Sequence, residues 1–348
     1  MSTKMKLPAR VEVCDITVRD GFQNLDTFIP TEAKLYLIEE LSQCGFKNLE
    51  VTSFSNPKRV PQFCDAEAVL KGIKRRPDIR YQAVALTEAA VKRAVEAKEK
   101  GYGPDKIVTM ISTSQSHNLV NAGELHDQHF RNLEKWGRMI KDAGMIFCGT
   151  VGTVFGCPIE GPVPLARAWE FARRHFDIGV DEIEYGDTTG EGTPDRVWEF
   201  YAELMARMPW PEKHIVHFHE SRGWGLANCL AALQVGMVRF EASMGGLGGQ
   251  PASMVDRVPV LGTGESYTPS DLTGNVRAED LVVLLDEMNI ATGIDVERYL
   301  RIGATLERIV GRRLRSWTVL SGRIPKTPTP TMEKVRQRFA DKFAREKS

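Results

Sequence analysis

Eight short β-branched runs, each followed by a longer segment of helical period, leave this chain few folds to adopt. The runs are Val11 to Val18, Phe46 to Thr52, Arg80 to Leu86, Lys106 to Ser112, Met145 to Phe155, Gly179 to Tyr185, His214 to Phe218 and Met237 to Ala242. Strands that alternate with helices pair in parallel, because each helix returns the chain to the same end of the sheet. The intervening segments are amphipathic. In TEAKLYLIEELSQCG, Leu35, Ile38, Leu41 and Ser42 share one face, while Glu32, Lys34 and Glu39 face water. Thr31 or Pro30 opens that helix and Gly45 stops it. No G-x-G-x-x-G follows the first run, which disfavours an open dinucleotide-binding sheet. Eight repeats instead predict an α/β fold closed into a (β/α)8 TIM barrel.

At 348 residues the chain has room for such a barrel, typically about 250 residues, and for additions to it. Two segments fall outside the alternation. A Gly-rich loop from about Gly245 to Asn275 follows the eighth run and is far longer than an ordinary βα loop, as lids and active-site loops are. Residues 325–348 form a Pro-punctuated linker and a charged helix with apolar Met332, Val335, Phe339 and Phe343, expected to pack on the barrel or on a sister subunit. Residues 1–324 are then one catalytic domain. With 46 basic and 46 acidic side chains, no net field recommends a nucleic acid or a membrane surface as partner. The opening MSTKMKLPARVEV has no apolar core of a secretory signal, and the six cysteines form no C-x-x-C pair. A cytoplasmic enzyme with reduced thiols is expected.

His217-Phe218-His219 closes the seventh run. Strand side chains alternate faces, so both imidazoles point into the barrel mouth, where they can ligate one metal or simply satisfy each other as barrel histidines. Other polar residues occur at the same ends of other runs: Arg19-Asp20 after the first, Glu50 and Thr52 on the second, Asp187 after the sixth. Catalytic groups of this fold gather at the C-terminal ends of strands. A carboxylate from Asp20 beside two imidazoles leaves coordination positions open for substrate oxygens, and Arg19 is placed to stabilise an oxyanion.

DITVRDGFQN, LEVTSFSNPKRVPQFCD, TVFGCPIEG, YGDTTGEGTP, HFHESRGWGLAN and GGLGGQP, in that order, resemble 3-hydroxy-3-methylglutaryl-CoA lyase and the wider DRE-TIM metallolyase superfamily. The resemblance runs from about Val11 to Leu285. It implies retro-Claisen chemistry on an acyl-CoA, a homodimer, and a divalent cation, Mg²⁺ or Mn²⁺ first, with Co²⁺ and Zn²⁺ accepted by the same ligand types. Carried over by position, the ligands are Asp20, His217, His219 and Asn275. Arg19 would hold the oxygen at the bond being cleaved, Glu50 is an acidic residue near the site, and Gln23 and Asp187 line it.

Three departures redirect the chemistry. The family's loop cysteine, within GGCP, is Gln250 here, and an amide hydrogen-bonds a substrate but exchanges no proton near neutral pH. The family's short gap between this loop and Asn275 is expanded by PASMVDRVPVLGTGESYTPSDL, and Glu220 stands after the second histidine in place of Asp. Glu220, Glu265, Tyr267 or a metal-held water are then candidates for the acid/base role, and Asp256 and Arg257 for reading a substrate carboxylate. The reading is cleavage of a 3-hydroxy-3-substituted acyl-CoA to acetyl-CoA and a keto acid or ketone, with a C3 group that is larger or differently charged than in methylglutaryl-CoA. Its alternatives are a Claisen synthase joining acetyl-CoA to a 2-oxo acid, and a non-catalytic acyl-CoA-binding paralogue.

Overall fold

The computed structural model describes residues 5–249, 253–255, 258–260, 274–340 and 342. Gln250, Asp256, Arg257, Glu265, Tyr267 and Phe343 lie outside them. Each expected run overlaps a strand: β1 Glu12–Asp15, β2 Asn48–Ser53, β3 Arg80–Val84, β4 Lys106–Ser112, β5 Ile146–Gly152, β6 Glu182–Asp187, β7 His214–Phe218 and β8 Arg239–Ala242. They hydrogen-bond in chain order, and β8 closes on β1 in the parallel register Glu12↔Arg239 to Asp15↔Ala242. The barrel expectation is met. Helices α1 (Thr31–Ser42), α2 (Ala66–Gly72), α3 (Glu88–Glu99), α4 (Gln115–Ala122), α5 (His126–Asp142), α6 (Leu165–Asp177), α7 (Pro194–Arg207), α8 (Gly225–Val235) and α9 (Ala278–Glu287) follow the strands in turn. Helices α10 (Val296–Val310), α11 (Trp317–Ser321) and α12 (Pro330–Arg338) complete the chain, and a small antiparallel pair, β9 (Ser253–Val255) and β10 (Val258–Val260), sits in the long loop.

The period-two alternation of each strand separates two environments. Val13, Leu49, Tyr81, Ile107, Phe147, Ile183 and Phe240 join the apolar core shared by strands and helices. Their neighbours in sequence point inward, and the barrel interior is unusually polar. At the N-terminal ends of the strands, Lys106 Nζ lies 3.1 Å from Glu182 Oε2, Arg239 Nη1 3.0 Å from Glu182 Oε1, and Arg239 Nε 3.1 Å from Glu12 Oε1. Further along, Val84, Val108, Cys148 and Ile215 form a separate apolar cluster.

One local feature departs from the sequence reading. Lys34, expected in water, is buried. Its Nζ donates to Asp65 Oδ1 at 2.7 Å and to the Gln62 carbonyl at 2.6 Å, 4.4 Å from the Phe28 ring centre. Helix α1 packs against the segment leading into α2, and that contact rather than solvent meets this face; Leu37, not Leu35, fills the core position. The stop at Gly45 holds: its φ is +96°, and a Cβ there would sit 2.2 Å from the Gly293 carbonyl oxygen. Helix α12 does not pack on the barrel. Met332, Val335 and Phe339 remain 48%, 52% and 42% exposed. Among the described residues, no helix is long and apolar enough to cross a membrane.

Candidate metal and active site

Strand β1 ends early, at Asp15, because the chain turns there. The Asp15 carboxylate accepts the Thr17 N–H at 2.9 Å, and residues Thr17–Gly21 wind one π-helical turn closed by Gly21 N to Ile16 O at 3.1 Å. That turn lifts Arg19 and Asp20 to the barrel mouth. Arg19 Nε is bound to the carboxylate of Glu50 on β2, and its Nη1 lies 3.1 Å from Asp20 Oδ2 and 3.5 Å from Gln23 Oε1. Nη2 is left without a partner among the described residues.

Across the mouth, β7 presents its two histidines with Nε2 atoms 3.1 Å apart. His219 Nδ1 is 2.8 Å from the Thr188 carbonyl, which only accepts, so this nitrogen carries the proton. His217 Nδ1 lies 3.1 Å from Glu241 Oε2 and 3.2 Å from Glu184 Oε1 and donates to that pair. Both Nε2 lone pairs therefore face one spot, which demands a cation or a shared proton. Asp20 and Asn275 adjoin it: Asn275 Nδ2 donates to Asp20 Oδ1 at 2.7 Å, while Asn275 Oδ1 is buried with no hydrogen-bond partner. A carboxylate, two imidazoles and an orphaned amide oxygen form a donor set that fits a divalent cation.

The electrostatics agree. Burial works to raise the Asp20 carboxyl, but Arg19, the two imidazoles and Asn275 overcome it and hold it at about 2. Burial and the neighbouring His217 charge push His219 down to about 4. Burial also opposes charging of His217, yet Glu184, Glu241 and Asp20 win and raise it. Glu184, His217 Nδ1 and Glu241 are themselves close enough to form a metal-competent trio. Their geometry is that of carboxylates orienting an imidazole whose other nitrogen is the ligand.

The first residues after β8, as far as Gly249, fold over this spot. Gly249 N donates to Asp20 Oδ1 at 3.1 Å, and Asn24 Nδ2 donates to the Gly249 carbonyl at 2.6 Å. Gly248, at φ +92°, packs so tightly that a Cβ would lie 2.2 Å from Asp20 Oδ1 and 2.6 Å from Asn275 Nδ2. The mouth encloses a cavity of about 180 Å³ lined by Arg19, Asp20, Gln23, His217 and His219, with Thr150 and Glu184 at its side. A larger cavity of about 360 Å³ lies beyond Gly248, against Leu25 and Arg312, and carries none of the histidines.

Of the residues singled out in the sequence, Arg19, Asp20, Gln23, His217, His219 and Asn275 come together. Glu50 lies beneath them, buried, bracing Arg19. Asp187 is not on the cavity wall: its two oxygens accept the N–H groups of Glu191 at 2.9 Å and Gly192 at 3.0 Å, shaping the β6–α7 loop. Burial raises it to about 7. Glu220 also turns away, its Oε1 2.8 Å from Arg277 Nη2. The sequence reading missed Glu184, Glu241, Thr150 and Gln82, whose Nε2 bridges Glu50 at 3.4 Å and Glu241 at 3.2 Å. Their signal is the alternation already used for the histidines: Glu182-x-Glu184 and Arg239-x-Glu241 also point inward.

A closed parallel barrel carries at its mouth an oxygen-and-imidazole donor set, an arginine beside it and Gly248–Gly249 drawn over them, a site that fits metal-assisted chemistry. The HMGL-like family model matches residues 10–306, and the chain belongs to that family. It is 32% identical over 312 residues to the hydroxymethylglutaryl-CoA lyase of Bacillus subtilis, covering 90% of this chain and 97% of that protein. A cytoplasmic 3-hydroxy-3-methylglutaryl-CoA lyase of Danio rerio is 33% identical over 311 residues, 89% of this chain and 86% of the relative. The solved HMG-CoA lyase of Acinetobacter baumannii, in complex with coenzyme A and 3-methylmalate, superposes with a TM-score of 0.82 at 33% identity, covering 92% and 98% of the two chains. The chain is thus a carbon–carbon lyase of the HMG-CoA lyase kind, and the synthase alternative is not favoured.

Proposed function

We propose that this enzyme cleaves the C2–C3 bond of a 3-hydroxy-3-substituted acyl-CoA, giving acetyl-CoA and a ketone or oxo acid, with a divalent cation between Asp20, His217, His219 and Asn275. The observation that carries the reading is the pair of Nε2 lone pairs 3.1 Å apart, each fixed by a donor bond on the other side of its ring. Mg²⁺ or Mn²⁺ suits the mixed oxygen and imidazole set, and Co²⁺ or Zn²⁺ would enter it. Such a cation supplies Lewis acidity, easing loss of the 3-hydroxyl proton and orienting the substrate oxygens.

The chain's own groups do the rest. Arg19 is locked on one edge by Glu50 and Asp20, so its free Nη2 can donate to the C3 oxygen as that oxygen becomes a carbonyl. The hydroxyl proton passes to solvent water at the cavity mouth, the electron pair of the C2–C3 bond passes to C2 as the thioester enolate, and a proton taken back from that water at C2 completes acetyl-CoA. Gln250 cannot be that proton donor and is assigned to hydrogen-bonding the substrate. Gln23, beside Arg19 on the cavity wall, is assigned to substrate binding as well. A cavity of about 180 Å³ is smaller than the roughly 300–1,000 Å³ of sites that enclose a whole drug-sized ligand, so the acyl head enters and coenzyme A stays outside. A cytoplasmic homodimer completes the proposal. Its supports are the cytoplasmic zebrafish relative and the exposed Trp317, Leu320 and Ile324 near the C-terminus, and light scattering tests the oligomer.

The decisive assay strips the protein of metal, restores Mn²⁺ or Mg²⁺, and measures acetyl-CoA by mass spectrometry across a 3-hydroxyacyl-CoA panel. Metal-dependent release is expected, lost in Asp20→Ala and His217→Ala. Full turnover in either variant, or in chelator, would sink the assignment.

A further inference from the structure

The two imidazoles are oriented by unlike means. His217 Nδ1 faces the carboxylates of Glu184 and Glu241, both seated on strands. His219 Nδ1 has a peptide carbonyl instead, that of Thr188 at 2.8 Å. Thr188 lies just past the end of β6 in GDTTGEG, where Gly186, Gly190 and Gly192 leave the backbone freedom to swing. A swing would carry the carbonyl away and let the ring take its other tautomer, with the proton on Nε2 where a metal needs a lone pair. The carbonyl orients His219 only if Thr188 is itself held.

Thr153, just past the end of β5, holds it. The Thr153 N–H donates to Thr188 Oγ1 at 2.8 Å, and among the described residues this is the one hydrogen bond to that hydroxyl. The N–H is aimed there because Thr153 has left the strand conformation: its φ is +57°. Among the described residues the other non-glycine with a positive φ is Asn289, at +59° and exposed. Asparagine tolerates that region, whereas a β-branched side chain crowds its own backbone there and glycine would sit at ease. Strain of this kind persists where surrounding bonds over-determine it, and such residues gather at functional sites. Thr153 is buried, and its Oγ1 donates to the Gly152 carbonyl at 2.7 Å and accepts the Ser114 N–H at 3.3 Å. Thr113 Oγ1 donates to the Thr153 carbonyl at 2.8 Å and lies 2.8 Å from its hydroxyl. Thr113 is fixed in turn by its own N–H on the Gly152 carbonyl and by Arg167 Nη1 on its carbonyl, each at 3.0 Å. Thr113, Thr153, Thr188 and His219 thus stand just past the mouth ends of β4, β5, β6 and β7, each bonded to the next. Glycine at 153 would relax the backbone but break this chain at the hydroxyl.

We propose that Thr153 is a positioning residue for the metal centre: with Thr113 it holds the Thr188 carbonyl against His219 Nδ1, and so keeps the His219 Nε2 lone pair turned to the cation. This rests on the cation site proposed above. Thr153 itself is off the cavity wall, on which Thr188 and His219 lie, so it acts through them and touches neither substrate nor metal.

The test reads the Nδ1–H protons of the imidazoles by NMR in metal-stripped protein labelled at the histidine nitrogens, with signals assigned by His217→Gln and His219→Gln. The unsubstituted protein should show a hydrogen-bonded, slowly exchanging Nδ1–H on both rings. Thr153→Gly keeps the N–H and relaxes φ but removes the hydroxyl, and Thr188→Val removes the acceptor. Each should abolish the protected Nδ1–H of His219 and leave that of His217, which carboxylates hold. Calorimetry with Mn²⁺ should show Kd raised about 10- to 100-fold in both variants, the usual cost of losing a partner behind a ligand. Thr153→Ser, which keeps both N–H and hydroxyl, should restore both readings. Asn289→Gly relieves the same kind of strain at the other end of the barrel, where Ala291 pairs with Arg10 ahead of β1, and should change neither reading. A His219 Nδ1–H still protected in Thr153→Gly and Thr188→Val overturns the proposal. So does loss of the His217 Nδ1–H alongside it, which marks a general loosening of the mouth. Selective loss at His219 in a protein that binds no Mn²⁺ even before substitution supports the relay and removes the cation assignment instead.

Discussion

Replacing Gly248 with alanine places a methyl group where the metal donors meet. The new Cβ would stand 2.2 Å from Asp20 Oδ1, 2.6 Å from Asn275 Nδ2 and 2.8 Å from the Asp20 carbonyl oxygen. Carbon and oxygen in contact prefer about 3.5 Å, so the carboxylate or the loop must give by about 1 Å. The backbone cannot relieve this cheaply, because φ is +92° and an L-residue there carries strain of about 1–3 kcal/mol. A donor displaced by about 1 Å costs on the order of 10²-fold in rate even when the fold survives. Breaking the Asn275–Asp20 hydrogen bond exposes two buried polar groups, at about 1–3 kcal/mol. Gly248→Ala should therefore bind Mn²⁺ far more weakly by calorimetry and lose about two orders of magnitude in kcat/KM. Gly123→Ala supplies the control: its φ is +73° and a Cβ there meets nothing within 4 Å, so it shares the backbone strain without the collision. If Gly248→Ala matches that control in metal affinity and turnover, the reasoning from donor crowding is wrong.

Removing the carboxylate behind His217 by Glu241→Ala should lower metal affinity about 10- to 100-fold with the ligands intact, read by competitive chelator titration. Gly149→Ala would put a Cβ 2.3 Å from His175 Cδ2 and 2.8 Å from its Nε2 inside the helix layer. An overpacking loss of about 1–3 kcal/mol follows, seen as a Tm several degrees lower without any change in metal affinity. Burial holds His129, His175 and His214 each at about 4. The unfolded chain protonates these rings near pH 6.5 and the native state does not until near 4, so stability is full at neutral pH and falls through that window as acid is added. Each is worth on the order of 2 kcal/mol at the acid end, and urea titrations that show equal stability at pH 7 and pH 5 would contradict this.

The fold was readable because both layers write their periods into the chain. Strand runs buried on two faces alternate with helices of period 3.6, and eight such units with no G-x-G-x-x-G after the first favour a closed ring over an open sheet. Asp20, His217 and His219 were readable too, since strand ends in this architecture converge on one mouth. The supporting carboxylates were not. Glu184 and Glu241 sit on β6 and β8, and only closure of the ring brings both to His217 on the strand between. Lys34 misled because periodicity reports which face a residue takes and not what covers it; an incoming loop with Asp65 turned a solvent position into a buried ion pair. Asp187 and Glu220 stand beside cavity-lining residues in sequence but point out of the mouth, one into its own loop and the other toward Arg277. The terminal helix keeps its apolar Met332, Val335 and Phe339 largely exposed, which the period alone does not foretell.

The charged floor of the barrel links both adjacent strands and strands two apart in the ring. Lys106 on β4 and Arg239 on β8 both reach Glu182 on β6, and Arg239 also reaches Glu12 on β1, which accepts from Asn48 on β2 at 2.7 Å. A fragment containing only the first half of the ring would keep Lys106 and Glu12 yet lack Glu182 and Arg239. One containing only the second half would bury Glu182 against Arg239 alone. Isolating one member of such a buried pair costs about 3–5 kcal/mol. Half-barrels are thereby penalised in a way that an aliphatic interior would not penalise them. The ring assembles as a whole, and its far end acts as a lock on closure while the opposite end performs the chemistry.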